Sequence, residues 1–182
     1  MQPNQENSPR LVLTGCGTTR ELEALLESVT PPVARLLRIP RRAIANIADP
    51  HAALSGLSSS SNGWLADLPI DPGVPLTGLG NWAEALGAWR QPTLLVLDKH
   101  QMEAGLAAAY QALMRQSAVP LLGLIQWQGE WKQDSRKADG LPWLGWLPEL
   151  DAVDQIKRCE WETKFVMATF LRWRNLDHRY SI

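Results

Sequence analysis

What most limits the fold of this chain is a set of three short runs, residues 93–98, 120–125 and 143–147, apolar at nearly every position and each entered beside a proline. A strand with one wet face alternates apolar and polar residues. These runs do not alternate, so each reads as a strand buried on both faces. Between the first two, Met102, Leu106, Ala109, Tyr110, Leu113 and Met114 recur at helical spacing across residues 101–116 and form one apolar face. Strand, helix, strand then predicts a parallel pair joined by a right-handed crossover. The expected class is α/β, a three-layer domain with a mostly parallel sheet flanked by helices.

A further buried strand is predicted at Arg10 to Thr14, followed by Gly15, Cys16 and Gly17 and then by Thr18, whose spacing to Glu21 is that of a capping box. The helix that starts there is expected to run to about Val29, where Pro31 and Pro32 stop it. A glycine turn leading from a strand into a helix exposes unpaired N–H groups at the positive end of the helix dipole, which favours an anion. Gly15, Gly17, Thr18 and Thr19 are therefore the phosphate-binding candidates. The plainer reading of the same residues is a tight turn with a capped helix.

Residues 33–37 and 41–48 read as short helices, and Asp49 followed by Pro50 supplies a cap and a first helical residue for a helix carrying Ala52, Ala53, Leu54 and Leu57. Serines and glycine at 58–63 read as a flexible loop. Residues 64–75, with three prolines, read as irregular or as a short edge strand. Leu79, Trp82, Ala83, Leu86 and Trp89 stripe a helix over 78–89 that is expected to pack on the sheet. No domain boundary is visible, so residues 1–9 read as a disordered tail and 10–182 as one domain.

A chain of 182 residues can bury about 70 % of its surface. Its 18 basic and 19 acidic side chains nearly cancel and form no long basic run, which argues against nucleic acid as a partner. Cys16 and Cys159 are too few and too distant for a metal site and read as free thiols. The start of the chain lacks the pattern of a secretory signal, and no window reaches the roughly 20 apolar residues of a membrane span. The expectation is a soluble cytoplasmic protein with no metal.

Asp98, Lys99 and His100 follow the carboxyl end of a predicted strand, where open α/β sheets hold ligands. They are the catalytic candidates, for proton transfer or phosphate contact, against the plainer reading of a solvated loop and cap. His51 and His178 have no visible ligand partner. Of nine tryptophans, Trp127, Trp131, Trp143, Trp146, Trp161 and Trp173 lie in the last third. A terminal helix over 152–174 places Val153, Ile156, Cys159, Val166, Phe170 and Trp173 on one face and Trp161, Phe165 and Ala168 towards another. A helix with more apolar surface than one packing stripe needs can meet a second chain, which makes Trp161 and Phe165 the partner-surface candidates. Lys157, Arg158, Lys164, Arg172 and Arg174 read as its solvated face.

From Gly73 to Leu150 the chain resembles the second half of dethiobiotin synthetase. The resemblance is carried by Gly73-Val74-Pro75-Leu76-Thr77, by Gln91-Pro92-Thr93-Leu94-Leu95-Val96, by Val119-Pro120-Leu121-Leu122-Gly123-Leu124-Ile125 and by Gly145-Trp146-Leu147-Pro148-Glu149-Leu150. It implies a P-loop NTPase-like fold, ATP and Mg2+ as cofactors, a cyclo-ligase reaction of biotin synthesis and a homodimer. It also implies an adenine site near Trp127, Leu147 and Pro148. Three departures weaken the enzyme. The turn at Gly15 to Glu21 is too short for the family's phosphate loop and has no lysine to bridge the outer phosphates. Gln126 and Trp127 stand where the family has an asparagine that reads the base, and an indole N–H accepts no hydrogen bond. Residues 11–73 are too few to carry the family's substrate lysine and metal ligands. The expectation is a degenerate, non-catalytic relative without cofactor that acts by binding a protein or a second copy. The alternative is an ATP-dependent dethiobiotin synthase, or a related ligase, with an unusual phosphate loop.

Overall fold

The computed structural model describes residues 8–60, 62–148 and 155–180. In chain order the elements are β1 (Arg10–Thr14), α1 (Thr19–Leu37), β2 (Arg41–Ala43), α2 (Pro50–Ser58), β3 (Trp64–Asp67), β4 (Pro75–Leu76), β5 (Gly80–Asn81), α3 (Trp82–Ala88), β6 (Thr93–Asp98), α4 (Lys99–Glu103), α5 (Leu106–Gln116), β7 (Leu121–Trp127), α6 (Gln133–Ala138), β8 (Trp143–Leu147) and α7 (Gln155–Tyr180). Six strands form one parallel sheet in the order β2-β3-β1-β6-β7-β8, and β4 and β5 form a small antiparallel pair.

The expected three-layer, P-loop NTPase-like α/β architecture is present, and the apolar runs explain it. In β1 and β6 successive side chains enter opposite cores: Leu11, Leu13, Leu94 and Val96 face α1 and α7, while Val12, Leu95 and Leu97 face α2, α3 and α5. A strand with helices on both sides has no wet face to mark with polar residues. β1, β6 and β8 have the boundaries that the sequence predicts, and β7 extends two residues beyond its expected end.

The first half departs from expectation in three places. α1 passes through Pro31 and Pro32 instead of ending before them. Interior proline costs about 3 kcal/mol or more, but Val29, Thr30, Val33, Ala34 and Leu37 on both sides of the pair are buried against the sheet. Packing of that continuous face outweighs the lost helical hydrogen bonds. The helix ends instead at Arg38, in the left-handed region at φ 55°. Residues 41–43 are the edge strand β2 rather than part of a helix, and β3 is internal, lying between β2 and β1. Trp64, Leu65 and Ala66 are buried, and the prolines that suggested an edge begin only at Pro69, beyond the strand.

Two helices also differ. Gly105, at φ 74°, divides residues 99–116 into α4 and α5, and the helix expected over 78–89 begins only at Trp82, preceded by the β4–β5 hairpin with Leu79 exposed.

α7 packs through both of its predicted apolar stripes: Val166, Phe170 and Trp173, expected to pack, lie in or against the core, and so do Trp161, Phe165 and Ala168, expected to face a partner. Phe165 and Trp173 are buried, and Trp161 stacks on Phe165 at 5.7 Å between centroids. Cys159, placed by the sequence on the apolar face, is exposed. Val153 lies outside the described residues. Arg172 is not solvated: its guanidinium donates to the carbonyls of Leu122 (3.0 Å), Pro142 (2.6 Å) and Trp143 (2.9 Å). Burial lowers its pKa below the usual guanidinium value. Among the described residues no helix is long and apolar enough to cross a membrane.

Candidate functional site

α1 leaves β1 on one face of the sheet, whereas α4 and α5 follow β6 on the other. Their diverging loops make the carboxyl ends of β1 and β6 the switch point where such sheets bind ligands. Both predicted candidate turns meet there. Gln101 joins them: its N–H donates to Oδ1 of Asp98 at 2.9 Å, its Oε1 accepts from the Asp98 N–H at 3.0 Å, and its Nε2 donates to the carbonyl of Cys16 at 2.6 Å.

The phosphate-binding candidates occupy the predicted turn, with Gly15 buried and Gly17, Thr18 and Thr19 exposed. Gly17 has φ 124°, a conformation costly for any residue with a Cβ. Its N–H does not point into open solvent. It donates to Oδ2 of Asp71 at 2.9 Å, a carboxylate 54 residues away in sequence. The capping box at Thr18 also forms, so the next N–H donates to Oε2 of Glu21 at 2.9 Å, and the Thr18 hydroxyl donates to the same oxygen at 2.8 Å. These hydrogen bonds lower the Glu21 pKa. Two donors that would meet an incoming phosphate are thus engaged by the chain's own acids.

Asp71 is 7 % exposed and fully employed. It also accepts from the N–H of Gly73 at 2.9 Å and from the Tyr110 hydroxyl in a very short hydrogen bond. Burial raises the Tyr110 pKa well above the usual phenol value, and its bond to the carboxylate and that group's charge add to the effect. Cys16, beneath the turn, is 1 % exposed. Burial pushes its thiol from 9.0 up to about 12, with Asp71, Asp98 and Glu21 contributing in that order. A thiol held neutral in this way is a poor nucleophile. The turn has negative surroundings, opposite to those of a phosphate cradle.

Of the catalytic candidates, Asp98 caps α4, and Lys99 and His100 are exposed beside it. At the proposed base site Trp127 is half-buried against the α1–α7 core, Leu147 is buried in that core, and Pro148 is half-buried. Gln126 is 2 % exposed and holds the following loop through the carbonyls of Gln128 (2.9 Å) and Glu130 (3.1 Å), while Arg136 donates to its Oε1. Its hydrogen bonds are thus spent on its own loop. The partner-surface candidates separate: Phe165 is at 0 % exposure and unavailable to a partner, Trp161 is half-buried, and Met167 and Leu171 of α7 are large apolar residues exposed at 58 and 57 %.

Asp71 and Tyr110 are the site residues that sequence reasoning missed. Asp71-Pro72-Gly73 carries a turn signature, and the bond to Gly73 is that turn. Nothing local indicates that the second oxygen reaches Gly17. Among the described residues no group of three or more His, Cys, Asp or Glu is placed to hold a metal ion. No family model matches the chain, and no curated protein matches it significantly.

Proposed function

We propose that this protein is a non-catalytic, degenerate relative of dethiobiotin synthetase, a cytoplasmic pseudoenzyme that acts by binding another protein or a second copy of itself. The observation that carries this reading is the hydrogen bond from Gly17 to Asp71. An ATP phosphate at the turn must displace a carboxylate that satisfies three donors, each worth about 1 kcal/mol net. It must do so without the lysine that offsets phosphate charge in P-loop enzymes. No cofactor is needed for the binding role, and the exposed Met167 and Leu171, one helical turn apart, supply apolar surface for it.

The alternative, an ATP- and Mg2+-dependent dethiobiotin synthase or related ligase, draws support from one arrangement. Lys99 and His100 open α4, which Gln101 ties to the glycine turn, at the edge where α/β enzymes place chemistry.

Calorimetric titration with ATP and Mg2+ separates the two readings. The expected result is no binding at millimolar nucleotide. Binding by the wild-type chain that is lost in Gly17→Asp overturns the pseudoenzyme and calls for carboxylation and ligase assays. For the binding role, sedimentation velocity of wild type and Leu171→Asp tests self-association through α7.

A further inference from the structure

We propose that the β2 edge of the sheet is a docking site for an extended protein segment that carries acidic residues followed by a lysine or arginine. Among the described residues β2 hydrogen-bonds to β3 alone, so its other side leaves backbone donors and acceptors for an added strand. Residues 28–48 hold four arginines and no acid. Arg41 is paired with Asp67 at 2.7 Å. The side chains of Arg35, Arg38 and Arg42 are exposed and make no hydrogen bond or ion pair with another described residue. Arg41 lies opposite Leu65, on the α1 side, and Arg42 opposite Ala66, on the other side. Arg42 therefore presents unpaired positive charge to one face of an incoming strand, while on the other face Arg41 is already neutralised by Asp67; the incoming side chains alternate between the two.

The charge reverses further along this edge. Beside β2, towards its carboxyl end, is a cavity of about 250 Å³ whose lining includes Glu23, Glu27, Arg41, Asp67, Ile44 and Ile47. An apolar floor under an acidic rim suits the aliphatic stem and cationic head of one lysine or arginine. It also decides between classes of partner. A nucleic acid is anionic throughout and meets repulsion from Glu23 and Glu27, whereas a peptide can change sign within a few residues. Arginine on a short edge strand also deters self-pairing, and that role alone predicts no preference among peptides. The site is separate from the turn at Gly17 and does not depend on whether that turn binds nucleotide.

The test is fluorescence anisotropy with a labelled peptide of alternating glutamate and valine ending in one lysine. A peptide with lysine in place of each glutamate and a mixed-sequence single-stranded DNA serve as comparison probes. The expected result is saturable binding of the acidic peptide, weakened about fivefold by Arg38→Asn with Arg42→Gln and by replacing the peptide's final lysine with alanine. Both protein substitutions are at exposed positions, asparagine tolerates the left-handed backbone of residue 38, and unchanged thermal unfolding verifies the fold. Equal binding of the basic peptide, insensitivity to the double variant, or no binding at millimolar protein overturns the proposal. Tighter binding of the DNA, lost in the same variant, overturns it in favour of a polyanion site.

Discussion

The turns after β1 and β6 start from similar local chemistry and end differently. Each leads from a buried strand into a helix whose first residue is capped by a reciprocal pair, Thr18 with Glu21 and Asp98 with Gln101. After β6 that local pair completes the cap and leaves Lys99 and His100 in solvent. After β1 a remote carboxylate, Asp71, is added and holds the glycine N–H from outside the turn. A capping motif specifies where a helix begins. It does not specify whether its amino end is open to a ligand, because that is decided by what the rest of the chain places over it.

The sharpest way to break the contrast is Asp71→Ala, which leaves the donors of Gly17, Gly73 and Tyr110 without their acceptor. A loss of about 3 kcal/mol in urea unfolding is expected, since each abandoned buried donor costs roughly 1 kcal/mol or more. The Cys16 thiol is expected to titrate at lower pH in the same variant, because the largest charge opposing its ionisation is gone.

Alkaline pH probes the same turn. The folded chain favours the neutral Cys16 thiol, with a pKa raised from 9.0 to about 12. Its stabilising contribution is therefore fully present below about pH 9 and is lost as pH rises towards 12. Unfolding midpoints at pH 8 and pH 11 are expected to differ less in Cys16→Ala than in wild type.

Two glycines extend the comparison at finer scale. Gly17→Ala is expected to cost about 1–2 kcal/mol, because the backbone disfavours a side chain at φ 124° and the new Cβ meets Glu21 Oε2 at 3.0 Å. Gly105→Ala, between α4 and α5 at φ 74° with open space around it, is expected to cost about 1 kcal/mol by calorimetric melting. Asp98→Ala removes a cap alone and is expected to cost about 1 kcal/mol. The smallest effect belongs to Lys99→Ala and His100→Ala, within about 0.5 kcal/mol. A larger loss in either would mean that the β6 turn is held by more than the bond from Gln101 to Cys16.

The same contrast between local and remote causes separates what the sequence makes legible from what it hides. β1, β6 and β8 are readable because burial on both faces leaves a continuous apolar run, and the start of α1 because its cap lies within four residues. The passage of α1 through Pro31 and Pro32 is hidden, since only the sheet beneath Val29 and Val33 sustains it. β2 is hidden for the opposite reason: a three-residue exposed edge with two arginines carries no burial pattern. At the site, the glycine turn and Asp98 are local signals. Asp71 and Tyr110 come from segments 39 residues apart and become neighbours only when the sheet is assembled. On α7 periodicity offers two apolar stripes and cannot say that both dock: Trp173 is buried with Val166 and Phe170 beside it, and from the other stripe Phe165 is buried and Trp161 closely approaches Gly145.

Arg172 gives the molecule an order of assembly. The carbonyls of Leu122, Pro142 and Trp143 lie at the entrances to β7 and β8, and their donor is near the end of the sequence. During synthesis from the amino terminus these strands emerge well before the helix that covers them. Until α7 arrives, β8 is a sheet margin with one bare apolar face, the kind of intermediate that associates with its neighbours. α7 thus covers that face as it docks, and a chain interrupted before residue 172 leaves the ribosome with the face bare.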